Sequence, residues 1–144
     1  MRLEFVHKLP ATPEKVYAAV MNPDVIRQCI DGCQSLTPIN ASTFETVILI
    51  AGTKMKGRVQ LLDAVPGQSM TLVVEGKAFA GSVKSTVKVR ITGQGAESEV
   101  HGDSEVTVGG LAAALGPKLL EDGARKAIAD FYAKLGAILT AGPA

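Results

Sequence analysis

The sequence predicts an α+β domain in which a seven-stranded antiparallel sheet wraps around one long C-terminal helix. Three observations lead to this fold. Two short helices with matching caps follow a first strand, six more strand patterns succeed one another between Pro and Gly turns, and a helical pattern begins near residue 110. A run of strands closed by a helix favours an antiparallel sheet packed on that helix. Because 144 residues match the size of one ordinary domain, we expect a single domain over residues 1–144.

The N-terminal region predicts one strand and then two short helices. Apolar and polar residues alternate from Leu3 to Leu9, which is typical of a strand with one mostly apolar face. The sequences TPE at 12–14 and NPD at 22–24 each supply a capping side chain, a Pro suited to the first helical position and an acid that favours the helix dipole. The first helix is expected to reach Met21. The second is expected to end at Gly32 in a left-handed conformation.

Six further strands are predicted by runs separated by turn residues, at positions 35–40, 43–51, 54–64, 69–77, 81–92 and 97–108. Pairing of the last two across residues 93–96 sets Arg90 opposite Glu99 and Lys88 opposite His101. Charge pairing marks this side of the hairpin as its solvent face. The opposite side is apolar and carries several small residues.

The chain beyond Gly110 predicts the longest helix. Pro117 disfavours an uninterrupted helix, so we expect the helix to kink or restart there. Apolar residues then recur at spacings of three, four and seven, at Leu120, Ala124, Ala127, Ile128, Phe131, Leu135 and Ile138.

Composition excludes several classes of function. Fifteen basic and 14 acidic residues give a net charge of +1, and aromatic residues make up 4% of the chain with no Trp, so we expect no nucleic-acid binding. The alternating N-terminus lacks the apolar core of a signal peptide, and no run approaches the ~20 apolar residues that span a bilayer. We therefore expect a soluble, cytoplasmic protein. Two cysteines cannot form a disulfide framework.

Small residues fall where a packed core needs large ones. Gly57, Gly76 and Gly102 lie on predicted inward faces of strands, and Gly123 and Ala127 lie on the C-terminal helix. Small residues facing one another permit either close packing or an apolar void that accepts an apolar ligand. The alternative is that Gly marks bulges in a bent sheet and that Ala is only a good helix former.

Four segments together resemble one family over nearly the whole chain: CIDGCQSL, KGRVQLLDAVPG, VEGKAFAGS and LAAALGPKLLEDGARKAIADFYAKL. The sequence is similar to the CoxG family of carbon monoxide dehydrogenase subunits, which belongs to the START-like (SRPBCC) helix-grip superfamily. The resemblance implies a hydrophobic tunnel, no catalytic residues, and an accessory role beside a molybdenum hydroxylase of the carbon monoxide dehydrogenase type. It also implies a bound quinone or lipid and a peripheral contact with the inner face of the membrane. Asp31 stands where the family commonly has Pro.

Period-two and helical spacing place a set of side chains on the inward faces of the strands and of the C-terminal helix. We expect these residues to line the ligand cavity. They are His7, Ile30, Met55, Gly57, Val59, Leu61, Leu72, Val74, Gly76, Phe79, Val87, Val89, Gly102, Leu115, Leu119, Gly123 and Ala127. Phe79, in a glycine-flanked turn, is either a movable lid over the cavity or a turn anchor. No oligomeric state is predicted.

The polar candidates leave alternatives open. Cys29 and Cys33 fit packing at the point where a helix hands over to a strand, although a transient disulfide across the turn is also conceivable; a zinc site lacks ligands. His7 either hydrogen-bonds a ligand or packs in the core. Arg125 and Lys126 are either solvated or contact anionic lipid or a partner enzyme. No catalytic or metal residues are predicted.

Three functions remain. The first is a non-enzymatic binder of an apolar small molecule that assists a molybdenum hydroxylase. The second is a cyclase or hydrolase of the START-like superfamily using the same cavity, for which only His7 and Asp63 are candidate acids or bases. The third is a protein adaptor that acts through its outer surface.

Overall fold

A computed structural model describes residues 1–50, 53–78, 81–110, 113–114 and 116–141. The elements follow the predicted order. The strands are β1 (Arg2–Leu9), β2 (Cys33–Asn40), β3 (Thr43–Ile50), β4 (Thr53–Val65), β5 (Ser69–Ala78), β6 (Gly81–Gln94) and β7 (Glu97–Gly110). The helices are α1 (Pro13–Val20), α2 (Pro23–Cys29) and α3 (Pro117–Ala141).

The strands form one antiparallel sheet in the order β1-β7-β6-β5-β4-β3-β2. Every neighbouring pair in this order, apart from β1 with β7, is also consecutive in the chain, so the sheet is a meander closed by the N-terminal strand. The pairing of β1 with β7 joins the two ends of the chain's sheet-forming part, with Leu3 opposite Ser104 and His7 opposite Val100. The predicted seven-stranded α+β architecture is confirmed.

The two short helices begin as the sequence predicts. The Thr12 hydroxyl accepts a hydrogen bond from the Lys15 N–H at 3.4 Å, and the Asn22 side-chain oxygen accepts one from the Asp24 N–H at 3.0 Å. Gly32 lies three residues beyond the end of α2, with φ of +75°. There the Leu49 N–H donates to the Gly32 carbonyl at 2.7 Å, and an added Cβ would overlap the Leu49 carbonyl oxygen. Glycine is required here both for its backbone conformation and for the close approach of β3.

The predicted register of the β6–β7 hairpin is wrong by two residues. Arg90 lies opposite His101, and Lys88 lies opposite Asp103, because a two-residue turn at 95–96 closes the hairpin instead of a four-residue loop. Gly95, with φ of +64°, supplies the conformation that such a tight turn favours. An even shift keeps each side chain on its predicted face, so the solvent and core faces are unchanged.

The core is aliphatic and lies between the concave face of the sheet and the helices. Fully buried members include Leu3, Val16, Cys29, Val100 and Leu135. The long helix begins at Pro117, one of the positions that the sequence allows for its start, and Gly116 just before it adopts a φ of +89°. No helix within the described ranges is both long and apolar enough to cross a membrane.

The C-terminal half of α3 covers the core, whereas its N-terminal half reaches past it. Leu135 is inaccessible to solvent, but Leu119 is 63% exposed, and an added Cβ at Gly123 would meet nothing within 4 Å. Arg125 secures the N-terminal half to the sheet edge by donating to the Glu4 carbonyl at 3.2 Å and pairing with Glu121 at 3.1 Å. The side chains of α3 therefore meet the sheet only along part of the helix.

Candidate ligand cavity

An apolar cavity of about 250 Å³ lies between α1, α2 and the concave face of strands β2 to β7. The inward side chains of β4 and β5 form its floor, because alternate residues of a strand point to the same face. Val16 and Val20 of α1 and Ile26 of α2 line it on the helical side. Phe131 and Tyr132 of α3 line its remaining wall.

Many of the residues predicted to line the cavity lie together in this lining. They come from the end of α2 and from the inward faces of β4, β5 and β6: Ile30, Met55, Gly57, Val59, Leu61, Leu72, Val74, Gly76 and Val89. Period-two alternation was sufficient to place the strand members, since one face of each strand is buried. Whether the cavity binds a ligand stays a prediction.

Other predicted residues lie outside the lining. Val87 is on the inner face of β6 but packs against the core, and the Phe5 ring occupies the space that a side chain at Gly102 would take. Leu119, Gly123 and Ala127 are exposed on the N-terminal half of α3, which does not reach the cavity. Their placement in the cavity wall is wrong because helical spacing identifies a face of a helix and not the part of its length that meets the sheet. The predicted positions Phe79 and Leu115 lie outside the described residues.

His7 lies next to the cavity wall and not in it. Its ring stacks on Tyr132 with centroids 4.8 Å apart and an interplanar angle of 16°. Burial lowers the pKa of the His7 imidazole, which favours the neutral ring. His7 therefore contacts the wall residue Tyr132 without lining the cavity itself.

Besides the helical side formed by α1 and α2, sequence reasoning missed two further parts of the wall. The first consists of the inward residues of β2 and β3, namely Leu36, Phe44, Thr46 and Ile48; alternation along 43–50 could have identified the three on β3. The second is the aromatic pair of α3. Phe131 belongs to the apolar spacing of the helix, but its neighbour Tyr132 carries no sequence signal for a cavity position.

The lining contains few polar groups. The Thr46 hydroxyl donates to the Ser35 carbonyl at 2.9 Å. Glu75 also borders the cavity, but its carboxylate lies 3.7 Å from the Lys84 amine and is exposed, so it belongs to the outer face. The Tyr132 hydroxyl is the third polar group. In the part of the chain that the structure describes, no cluster of three or more His, Cys, Asp or Glu could hold a metal ion.

Comparison with known proteins decides the family. Over residues 7–139 the sequence matches the family described as the CoxG subunit of carbon monoxide dehydrogenase. The chain belongs to the CoxG family. No curated protein matches it.

Solved structures confirm the START-like fold of this CoxG family member. A conserved protein from Geobacillus kaustophilus is similar at a TM-score of 0.94 and 24% identity, covering 97% of this chain and 95% of that one. A START superfamily protein from Mycobacterium smegmatis has a TM-score of 0.76 at 11% identity over 94% of both chains. The Mll3558 protein from Rhizobium loti has a TM-score of 0.71 at 15% identity, covering 93% of this chain and 96% of that one. At these identities the likeness concerns the fold alone.

The cysteine segment that carried the resemblance packs at the junction of α2 and β2. Both thiols are free, Cys29 is 1% exposed, and burial raises the pKa of its thiol. The Cys33 thiol donates to the Ser35 carbonyl at 3.4 Å. Between them, Asp31 forms an ion pair with Lys134 of α3, which links this turn to the helix that closes the cavity. The residue that departs from the family's usual Pro therefore has a structural partner.

Proposed function

We propose that this CoxG family protein binds an apolar small molecule, a quinone or a lipid, in the cavity between α2 and the sheet. It acts without catalysis, as an accessory protein of a carbon monoxide dehydrogenase-type molybdenum hydroxylase, and aids recruitment of that enzyme to the membrane or electron transfer to quinone. The observation that carries this proposal is the apolar cavity of about 250 Å³. Binding sites for small molecules are concave, largely preformed and mostly apolar.

The free energy of binding would come from removal of apolar ligand surface from water, at roughly 25 cal/mol per Å². The floor residues Val59, Leu72 and Val74 offer such contacts without competing hydrogen bonds. Water in a mostly apolar cavity makes few hydrogen bonds, so an apolar ligand displaces it at little cost.

The enzymatic alternative requires an acid or a base directed into the cavity. The two candidates from the sequence lie elsewhere: His7 stacks behind Tyr132, and Asp63 is exposed near the end of β4 with φ of +51°. Their positions favour the binding function over the cyclase or hydrolase.

Native mass spectrometry of the protein mixed with a bacterial lipid extract tests the proposal. We expect the wild-type protein to retain an apolar small molecule and the cavity variant Val74→Phe to lose it. Val73→Phe is the matched control, because Val73 is the neighbouring residue on the outer face of β5. The proposal is wrong if wild type retains nothing, or if Val74→Phe retains the same molecule to the same extent.

The accessory role is tested by co-purification with a molybdenum hydroxylase from the same cell. A ligand-presenting protein with Val74→Phe still binds the enzyme but no longer supports transfer of its electrons to quinone. If the protein is a pure adaptor, Val74→Phe leaves both enzyme binding and electron transfer unchanged. Gly123→Leu examines the outer surface separately, because Gly123 faces open space on α3.

A further inference from the structure

Tyr132 is held rigidly at the wall of the cavity. Its ring lies 4.8 Å from the His7 ring, 5.7 Å from Phe5 and 5.1 Å from Phe131, measured between centroids. Contacts with three rings restrict its side-chain rotamers, so its hydroxyl has a defined direction. The same residue also lines the cavity.

The Tyr132 hydroxyl differs from the other polar groups of the lining in its hydrogen bonding. Thr46 already donates to the Ser35 carbonyl, and the Glu75 carboxylate pairs with Lys84 on the outer face. The described residues provide no hydrogen-bond partner for the Tyr132 hydroxyl. Every fully buried side-chain nitrogen or oxygen atom among them does have a partner. Tyr132 lines the cavity, and no described residue competes with a ligand for its hydroxyl.

We propose that the Tyr132 hydroxyl donates a hydrogen bond to an acceptor oxygen on an uncharged, ring-sized ligand in the cavity. This inference rests on the proposed function and names the chemical class of its ligand. A donor that a bound ligand closes off from water is costly to leave unpaired, so a ligand that supplies the acceptor is preferred over a pure hydrocarbon. Sites that offer one polar group in apolar surroundings use it to fix ligand orientation.

Charge and size limit the ligand further. The cavity lining among the described residues includes no Lys, Arg or His, so an anionic head such as a carboxylate would be buried without a counter-ion, at high cost. A cavity of about 150 Å³ accepts benzene. One of about 250 Å³ therefore holds a compound of one or two rings and cannot enclose a two-chain phospholipid.

The protonation state of Tyr132 agrees with a donor role. Burial raises the pKa of the phenol above its ordinary range, so the hydroxyl keeps its proton throughout the physiological pH range. The donor needs no titration and no second group to activate it.

Two probes of matched shape test the inference. 2-Acetylnaphthalene carries a carbonyl acceptor, and 2-ethylnaphthalene has no acceptor. We expect Tyr132→Phe to weaken binding of the ketone about tenfold, the effect of one net hydrogen bond, and to change binding of the hydrocarbon less than about twofold. Tyr17→Phe is the matched control, because Tyr17 also packs against the core but does not line the cavity.

The carbonyl stretch of the bound ketone gives a direct readout on the wild-type protein. A donated hydrogen bond lowers this frequency relative to the ketone in an alkane, and the shift should disappear in Tyr132→Phe. The inference is overturned if the wild-type complex shows no lowered band, or if Tyr132→Phe weakens both probes equally. Failure of both probes to bind the wild-type protein would instead contradict the apolar binding site itself. If Tyr132→Phe does not fold, the infrared band of the wild-type complex still decides.

Discussion

Filling the cavity with a larger side chain should stabilise the ligand-free protein while it abolishes binding. Val74 is on the inner face of β5, opposite Val59 and Ser85, and it borders the cavity. At about 24 cal/mol per Å³, a void of about 250 Å³ corresponds to about 6 kcal/mol of lost packing energy. Part of that energy is recoverable by Val74→Phe, which directs four more carbon atoms into the void.

The expected gain follows from the added apolar surface. Four buried carbon atoms contribute about 3 kcal/mol at about 0.8 kcal/mol each. Ordering of the side chain and imperfect fit reduce this to about 1 kcal/mol. For a chain of this length, that difference raises Tm by about 2–4 °C.

Thermal unfolding of delipidated protein checks the prediction. Ligand must be removed first, because a bound ligand raises Tm by mass action and would mask the gain. Val73→Phe, on the outer face between Gln60 and Thr86, should leave Tm and probe binding almost unchanged. A fall of more than about 5 °C for Val74→Phe would mean that the side chain meets packed atoms, and the reasoning from the cavity would be refuted.

Two further predictions concern stability. Gly32→Ala should lower the free energy of unfolding by about 2 kcal/mol or more in urea denaturation, because a left-handed backbone costs a residue with a side chain about 1–2 kcal/mol and the new Cβ also overlaps the Leu49 carbonyl; an unchanged midpoint would contradict this. Because the pKa of His7 is lowered in the folded protein, this residue is protonated first in the unfolded chain as pH falls. The stability that the neutral ring contributes is therefore fully present above the ordinary histidine pKa of about 6.5, and it is lost as pH falls through that value towards the folded pKa. Tm measured from pH 8 to 5 should therefore fall less in His7→Phe than in wild type, and an equal fall in both would contradict this.

The strands and their faces could be predicted because alternation and turn residues are local signals. The register of the last hairpin could not, since both a four-residue and a two-residue turn fit the segment GQGA at 93–96. The two turns differ in which residue adopts the left-handed conformation, and in the structure that residue is Gly95. The error was harmless to the core because a shift of two residues preserves the face of every side chain.

The cavity wall was predictable only where it is built from strands. Met55, Val59 and Leu72 follow from alternation along a single strand. The contribution of α3 depends on the position of the helix along β1, which depends on long-range contacts such as the hydrogen bond from Arg125 to the Glu4 carbonyl. Local periodicity carries no information on that position, so Leu119 was placed in the wall and Tyr132 was missed.

The small residues of the strands contribute less to the cavity than the sequence analysis predicts. Gly57 and Gly76 lie opposite each other on β4 and β5, but neighbours already fill the space that their missing side chains leave. A Cβ at Gly76 would lie 3.0 Å from the Met55 sulfur, and one at Gly57 would lie 3.1 Å from a Thr46 methyl carbon. The glycines therefore admit neighbouring side chains.

The void itself comes from the placement of the helices. The N-terminal half of α3 lies beyond the core, so the floor of the cavity faces α1, α2 and only Phe131 and Tyr132 of the long helix. It follows that enlarging a glycine strains the wall without closing the cavity. Closing it requires a longer side chain at a position such as Val74 that already points into it.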